Sequence, residues 1–188
     1  GAAWLFYGDG VGGEYSTTGD GVKLEGGEVD EQAGQDGCTP GDFDGDGLPE
    51  MVIANNLGAG GDAVRGGGFL FFGSRTRFAS LPLADADVVY EGGPTQGLFE
   101  SCAGVGDVDD DGRADLAFAG PRFDDGRGSV FVVLSDPSPL GGPLYDVAQV
   151  QWLGETTSPI GASVAGPGDL DGDGHDDLVA TSSREDGT

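Results

Sequence analysis

The chain has 188 residues, 37% of them apolar, with 39 glycines and a formal charge of −26 from 34 acidic and 8 basic side chains. That charge excludes nucleic acid and anionic lipid surfaces as partners, because both are held through basic patches. The longest apolar run, Val130-Phe-Val-Val-Leu134, falls far short of the about 20 residues of a membrane-spanning helix, so no membrane insertion is expected.

In chain order, the first predicted strand is Trp4-Leu-Phe-Tyr7, followed by the Gly-bounded Val22-Lys-Leu24. A small-residue stretch, Gly37-Cys-Thr-Pro-Gly41, leads into the acidic segment Asp42-Phe-Asp44-Gly-Asp46-Gly-Leu48-Pro-Glu50 and then the apolar run Met51-Val-Ile-Ala54. The set then recurs. Phe69-Leu-Phe-Phe72 answers to the first strand and Val88-Val-Tyr90 to the second. Ser101-Cys-Ala-Gly-Val-Gly106 precedes a second acidic segment, Asp107-Val-Asp109-Asp-Asp111-Gly-Arg113-Ala-Asp115, which runs into Leu116-Ala-Phe-Ala119. A third round has Val130-Phe-Val-Val133, Val150-Gln-Trp152 and the Gly-rich stretch 160–168. It ends with Asp169-Leu-Asp171-Gly-Asp173-Gly-His175-Asp-Asp177 before Leu178-Val-Ala-Thr181. The Pro/Gly segment 135–143 reads as a connection between strands.

Each acidic segment places carboxylates at positions 1, 3, 5 and 9 and Gly at position 6 (Gly47, Gly112 and Gly174). Alternate acidic residues aim their oxygens at one point, as a hard cation requires, and the Gly permits the bend that turns the position-7 carbonyl inward. The candidate ligands are therefore Asp42, Asp44, Asp46, Leu48 and Glu50; Asp107, Asp109, Asp111, Arg113 and Asp115; and Asp169, Asp171, Asp173, His175 and Asp177. Leu48, Arg113 and His175 would contribute carbonyl oxygens, with side chains free to point away. An EF-hand would need Glu at position 12 and flanking helices. Position 12 here is Ile53, Phe118 or Ala180, each inside a short apolar run that reads as a buried strand. Three Ca2+ sites are expected, and with them folding that depends on Ca2+, because bound metal offsets the chain entropy of so much Gly.

Successive loops begin 65 and 62 residues apart, and four strand-like segments fall in each unit. Four-stranded units repeated along a chain are the mark of β-propeller blades. The expected fold is all-β, with about three blade equivalents of four antiparallel strands. Residues 1–30 supply the third and fourth strands of a first blade. Residues 31–95 and 96–155 form whole blades, and residues 156–188 give the first and second strands of a last one.

The stretch from Ile160-Gly-Ala-Ser through Asp169-Leu-Asp171-Gly-Asp173 to Leu178-Val resembles an FG-GAP repeat, the blade unit of the integrin α-subunit propeller. The other two copies resemble it more loosely, with Pro40 and Val105 in place of small residues. The resemblance implies an extracellular Ca2+-binding propeller in which each loop joins the innermost strand of a blade to the second. It implies no particular ligand. In this frame Glu185-Asp-Gly-Thr188 followed by Gly1-Ala-Ala-Trp4 imitates Asp124-Asp-Gly-Arg-Gly-Ser-Val130, so the two end segments are complementary half-blades. Three arrangements stay open: a fragment of a longer protein, two copies closed head to tail as a six-bladed ring, and copies joined in an open filament.

Cys38 and Cys102 precede their loops by four and five residues and occupy nearly equivalent inner-strand places. Two buried thiols and a disulfide between adjacent blades are both open readings. Catalysis has little support. His175 is the one histidine, and no nucleophile–base set forms around it. A glycosidase pair is not expected, because the well-spaced carboxylates are committed to metal and others, such as Asp124 and Asp125, lie in Gly-rich turns. Trp4, Tyr7, Trp152 and the Phe-rich third strands are expected in blade-to-blade core, with a carbohydrate-stacking face as the lesser reading. The functional expectation is a non-enzymatic extracellular or cell-surface module for adhesion or surface assembly. Its expected partners are copies of itself or other extracellular proteins. The alternative is the propeller portion of a larger secreted enzyme, such as a hydrolase, with catalysis elsewhere.

Overall fold

The computed structural model describes residues 1–8, 16–17, 19, 21–27, 33–55, 66–92 and 99–182. Apolar runs of four to six residues bounded by Gly or acidic turns form strands, not helices, because they are too short to close helical turns and are rich in Val, Ile and Phe. The strands are β1 (Ala2–Leu5), β2 (Val22–Glu25), β3 (Ala33–Cys38), β4 (Met51–Asn55), β5 (Gly67–Phe71), β6 (Leu81–Pro82) and β7 (Val88–Glu91). They continue with β8 (Ser101–Gly106), β9 (Asp115–Gly120), β10 (Ser129–Val133), β11 (Gly142–Pro143), β12 (Val150–Leu153), β13 (Ser163–Gly168) and β14 (Asp177–Thr181).

Two sheets carry the order β3-β4-β5-β7 and β8-β9-β10-β12, all antiparallel: two blades. β1 pairs with β2 as a third and fourth strand, and β13 pairs with β14 as a first and second. The first strands β3, β8 and β13 lie side by side, so the units stack in chain order. The boundaries expected at 30/31 and 95/96, and the join of 185–188 to the chain start, lie outside the described residues. The 155/156 boundary falls between β12 and β13.

The register corrects one reading. Trp4 pairs with Lys23, Phe69 with Val89 and Phe131 with Gln151, so the counterpart of Trp4 and Phe69 is Phe131, one residue beyond Val130. A one-residue slip moves a side chain to the other face. Phe131 therefore faces the first whole blade, and Val130 and Val132 face the half-blade β13–β14.

The middle strands are buried on both faces. Every residue of β5, β9 and β10 is buried, which is why these strands read as unbroken apolar runs. Between the two whole blades lies the largest core, with Val52, Leu70, Tyr90, Phe99, Leu116, Phe118 and Phe131. Phe118 stands 5.5 Å from Tyr90 and 6.3 Å from Phe99 between ring centroids. Gly68 makes room for it, since a Cβ there would lie 2.5 Å from the Phe118 ring.

The connections between third and fourth strands do more than link. β6 pairs in parallel with β2, and β11 in parallel with β7, so each connection adds two residues to the outer strand of the preceding unit. A short helical turn follows each and buries Leu83 or Leu144. Among the described residues no helix is long and apolar enough to cross a membrane.

The cysteines resolve to the disulfide Cys38–Cys102, with Cα atoms 5.9 Å apart, joining the first strands of the two whole blades. The aromatic expectation divides. Phe69, Phe71 and Phe131 are core, whereas Trp4 and Trp152 are exposed on the edge strands β1 and β12. Tyr7 is partly buried; its hydroxyl accepts from the Phe78 N–H (2.7 Å), and Arg77 lies 4.7 Å above its ring.

Candidate metal centre

Each acidic segment connects a first strand to a second: 42–50 leads from β3 to β4, 107–115 from β8 to β9, and 169–177 from β13 to β14. Short-range bonds between loop carboxylates and loop amides set the shape. The position-1 carboxylate accepts from the position-6 Gly N–H in all three copies, Gly47 to Asp42 (3.0 Å), Gly112 to Asp107 (2.8 Å) and Gly174 to Asp169 (3.0 Å). The three glycines have φ of 88°, 86° and 97°, the left-handed region that the sequence reserved them for. The position-5 carboxylate accepts from the position-7 N–H: Leu48 to Asp46 (2.8 Å), Arg113 to Asp111 (2.9 Å) and His175 to Asp173 (3.0 Å).

The position-9 carboxylate closes the loop. Asp115 accepts from Val108 N–H across the loop (2.9 Å) and from Ser135 N–H beyond the end of β10 (2.8 Å). Glu50 accepts from Phe43 and, at 3.3 Å, from Gly73 beyond the end of β5. Asp177 accepts from Leu170 at 2.7 Å. One buried carboxylate thus holds both its own loop and the end of the third strand. Glu50 is 1% exposed and Asp115 fully buried. Burial pushes both carboxyls up from their ordinary values, nearby loop aspartates add to the rise, and the backbone N–H donors oppose it. Asp169 is exposed, and the Gly174 and Gly172 amides hold its carboxyl below the usual range.

In each loop, one carboxylate oxygen from each of three positions converges: Asp42, Asp44 and Glu50; Asp107, Asp109 and Asp115; Asp169, Asp171 and Asp177, all within 4.8 Å of one another. Position 5 stands outside these clusters. Asp111 is drawn to the Arg113 guanidinium and to Ser135 Oγ (3.3 Å), so the Arg113 side chain does not point away as expected. Nor is the His175 ring free: its Nδ1 lies 3.1 Å from the Val108 carbonyl of the preceding loop, a contact in which the ring nitrogen must donate. Ser135 was missed from sequence. The signal available was its place two residues beyond the third strand, in phase with Gly73.

The donor set fits a hard divalent ion. All converging atoms are carboxylate oxygens, which suit Ca2+ or Mg2+ and not a thiophilic metal. Asp42 Oδ1 is buried without a hydrogen-bond partner, and a cation between Asp42, Asp44 and Glu50 would supply one. Such an ion would also relieve the mutual repulsion of three carboxylates that burial makes costly.

Residues 107–180, from the second loop to the strand after the third, match the FG-GAP-like repeat family. A stretch of 82 residues, 42% of the chain, is 38% identical to integrin alpha-5 of Xenopus laevis and covers 8% of that protein. The chain therefore spans a small part of this relative's length. With three loops of one pattern, two of them set in antiparallel four-stranded blades and the third in the β13–β14 pair, the chain is similar to the FG-GAP-repeat, integrin α-like family of β-propellers.

Proposed function

We propose that the chain is a calcium-binding β-propeller module of the cell exterior, without catalysis of its own, that serves adhesion or surface assembly. The observation that carries the calcium reading is the convergence of carboxylate oxygens in all three loops, with a buried Asp42 oxygen lacking any other partner. The place outside the cell is supported by the likeness to an integrin α chain and by the millimolar Ca2+ that weak loops of this kind need. Assembly is supported by two exposed surfaces. An apolar groove of about 580 Å3 opens between the second whole blade and the β13–β14 pair, lined by Val130, Val132, Val150, Trp152, Leu178 and Ala180. The β1 strand and the residue after it offer exposed Trp4 and Phe6, so a strand pair of this kind from another copy or another extracellular protein is the proposed occupant.

Calorimetric titration and thermal unfolding with Ca2+ test the metal reading. Three binding events are expected, and each site adds about 2.7 kcal/mol at a Ca2+ concentration 100 times its Kd. A melting temperature moved by neither Ca2+ nor chelator overturns it. Sedimentation of the same samples tests assembly, which fails if the protein is monomeric at every Ca2+ concentration.

A further inference from the structure

We infer that Asp176, which lies in the third loop, is a positioning residue of the second. This deepens the reading of the loops as cation sites and rests on it. Asp176 occupies position 8, which the ligand pattern leaves unassigned, and it belongs to none of the three carboxylate clusters. Its N–H donates to the Asp107 carbonyl (2.9 Å), and its Oδ2 accepts from the Asp107 N–H (2.9 Å). Both main-chain polar groups of Asp107 are thus held by one residue of the next loop.

The entry to the second loop is shaped to receive this carboxylate. Gly106, just before Asp107, has φ 76°, and the Asp176 carboxylate occupies the space where a Cβ would stand. The neighbouring His175 ring bonds the Val108 carbonyl, so residues 175 and 176 together grip 107 and 108. The junction one repeat earlier has only part of this. There Ala114 N–H donates to the Asp42 carbonyl at 3.3 Å, and alanine has no carboxylate to return.

Asp107 is the position-1 residue, and its carboxylate also receives the Asp111 and Gly112 amides. Fixing its backbone fixes the direction of a ligand oxygen, the service that outer partners perform at metal sites. Asp176 sits directly before Asp177, a cluster residue of the third loop. A cation that orders the third loop therefore orders Asp176 as well. Occupancy of the third loop raises the affinity of the second, and linkage requires the reverse to the same degree.

The position-6 glycine amides give one reporter per loop. In a Ca2+ titration followed by amide NMR, the Gly112 midpoint in Asp176→Ala should rise about tenfold, while Gly47 keeps its wild-type midpoint. Asp176→Asn keeps an acceptor oxygen and should restore most of the affinity, which a loss through general loosening would not do. In cation-free wild-type protein the Asp107 amide should exchange slowly with solvent, and in Asp176→Ala quickly. A Gly112 midpoint that Asp176→Ala leaves in place, or a fast Asp107 amide in the wild type, overturns the inference alone. If no glycine amide of the wild type responds to Ca2+, the cation reading itself fails and takes this inference with it.

Discussion

Two of the junctions between units, the one between the whole blades and the one that follows it, share one loop design and one strand order, yet different forces hold them. Between the two whole blades, Phe118 inserts against Tyr90 and Phe99, Phe131 stands 5.4 Å from Phe99, and the Cys38–Cys102 disulfide adds a covalent tie. The Cys102 N–H also donates to Asp36 across the same boundary (3.1 Å). Between the second blade and the β13–β14 pair the core consists of Val105, Ala117, Ala119, Val130, Val132 and Val164, with an open groove beside it. Polar bonds from Asp176 and His175 contribute where rings do not. Main-chain pairing within a blade repeats almost unchanged, so the strength of a junction is set by the side chains facing outward from the sheet. A repeat can therefore keep its loop while its adhesion to the next unit changes.

Three perturbations would break or sharpen this contrast. The largest effect is expected from Phe118→Ala, at about 4 kcal/mol, against about 2 kcal/mol for Val164→Ala in the other junction. Urea unfolding of both variants checks the order, and a larger loss at Val164 would reverse the comparison. Next comes reduction of the disulfide, or Cys102→Ser. Opening a native cross-link of this kind, here between residues 64 apart, typically removes about 3 kcal/mol of stability. Exchange of the β13–β14 amides should change less than that of β4 and β9, and equal loosening throughout would show that the junctions are not independent.

The smallest effect is in pH. In cation-free protein, Glu50 and Asp115 hold protons more tightly when folded, because burial raises their pKa values. Their contribution to stability is present in acid and is lost as pH climbs from the ordinary carboxylate range through the raised values. Asp169 acts oppositely: its contribution is present above the usual aspartate value and is lost as pH falls through its depressed one. Saturating Ca2+ binds the ionised loops and should abolish the loss at high pH. Unfolding free energies in chelator that rise steadily from pH 5 to 8 would contradict the assignment to Glu50 and Asp115.

The strands and loops were legible because their signals are local. Met51-Val-Ile-Ala54 and Leu116-Ala-Phe-Ala119 lie in strands packed on both faces, and such strands leave continuous apolar runs. Spacing of carboxylates around one Gly likewise needs no knowledge of the rest of the chain. What escaped notice depends on neighbours. Leu81–Pro82 and Gly142–Pro143 become strands only because a preceding outer strand offers its edge. Position 5 stands outside the cluster in all three loops, where its carboxylate accepts from the position-7 N–H, and at Asp111 the Arg113 guanidinium and Ser135 hydroxyl bond it as well. The one-residue error at Val130 arose because four apolar residues in a row give no mark of which face each takes, and pairing with β9 decides it.

The exposure of the two indoles has an optical consequence. Trp4 and Trp152 are the only tryptophans, they sit 40% and 45% accessible on edge strands, and the buried rings of the largest core are Phe and Tyr. Tryptophan emission therefore reports on the rims of the sheets and is nearly blind to the packing between the two whole blades. Loss of the Phe118 cluster would pass almost unseen in fluorescence while circular dichroism registered it. A strand from any source laid over β1 or β12 would announce itself by a blue shift, without a label.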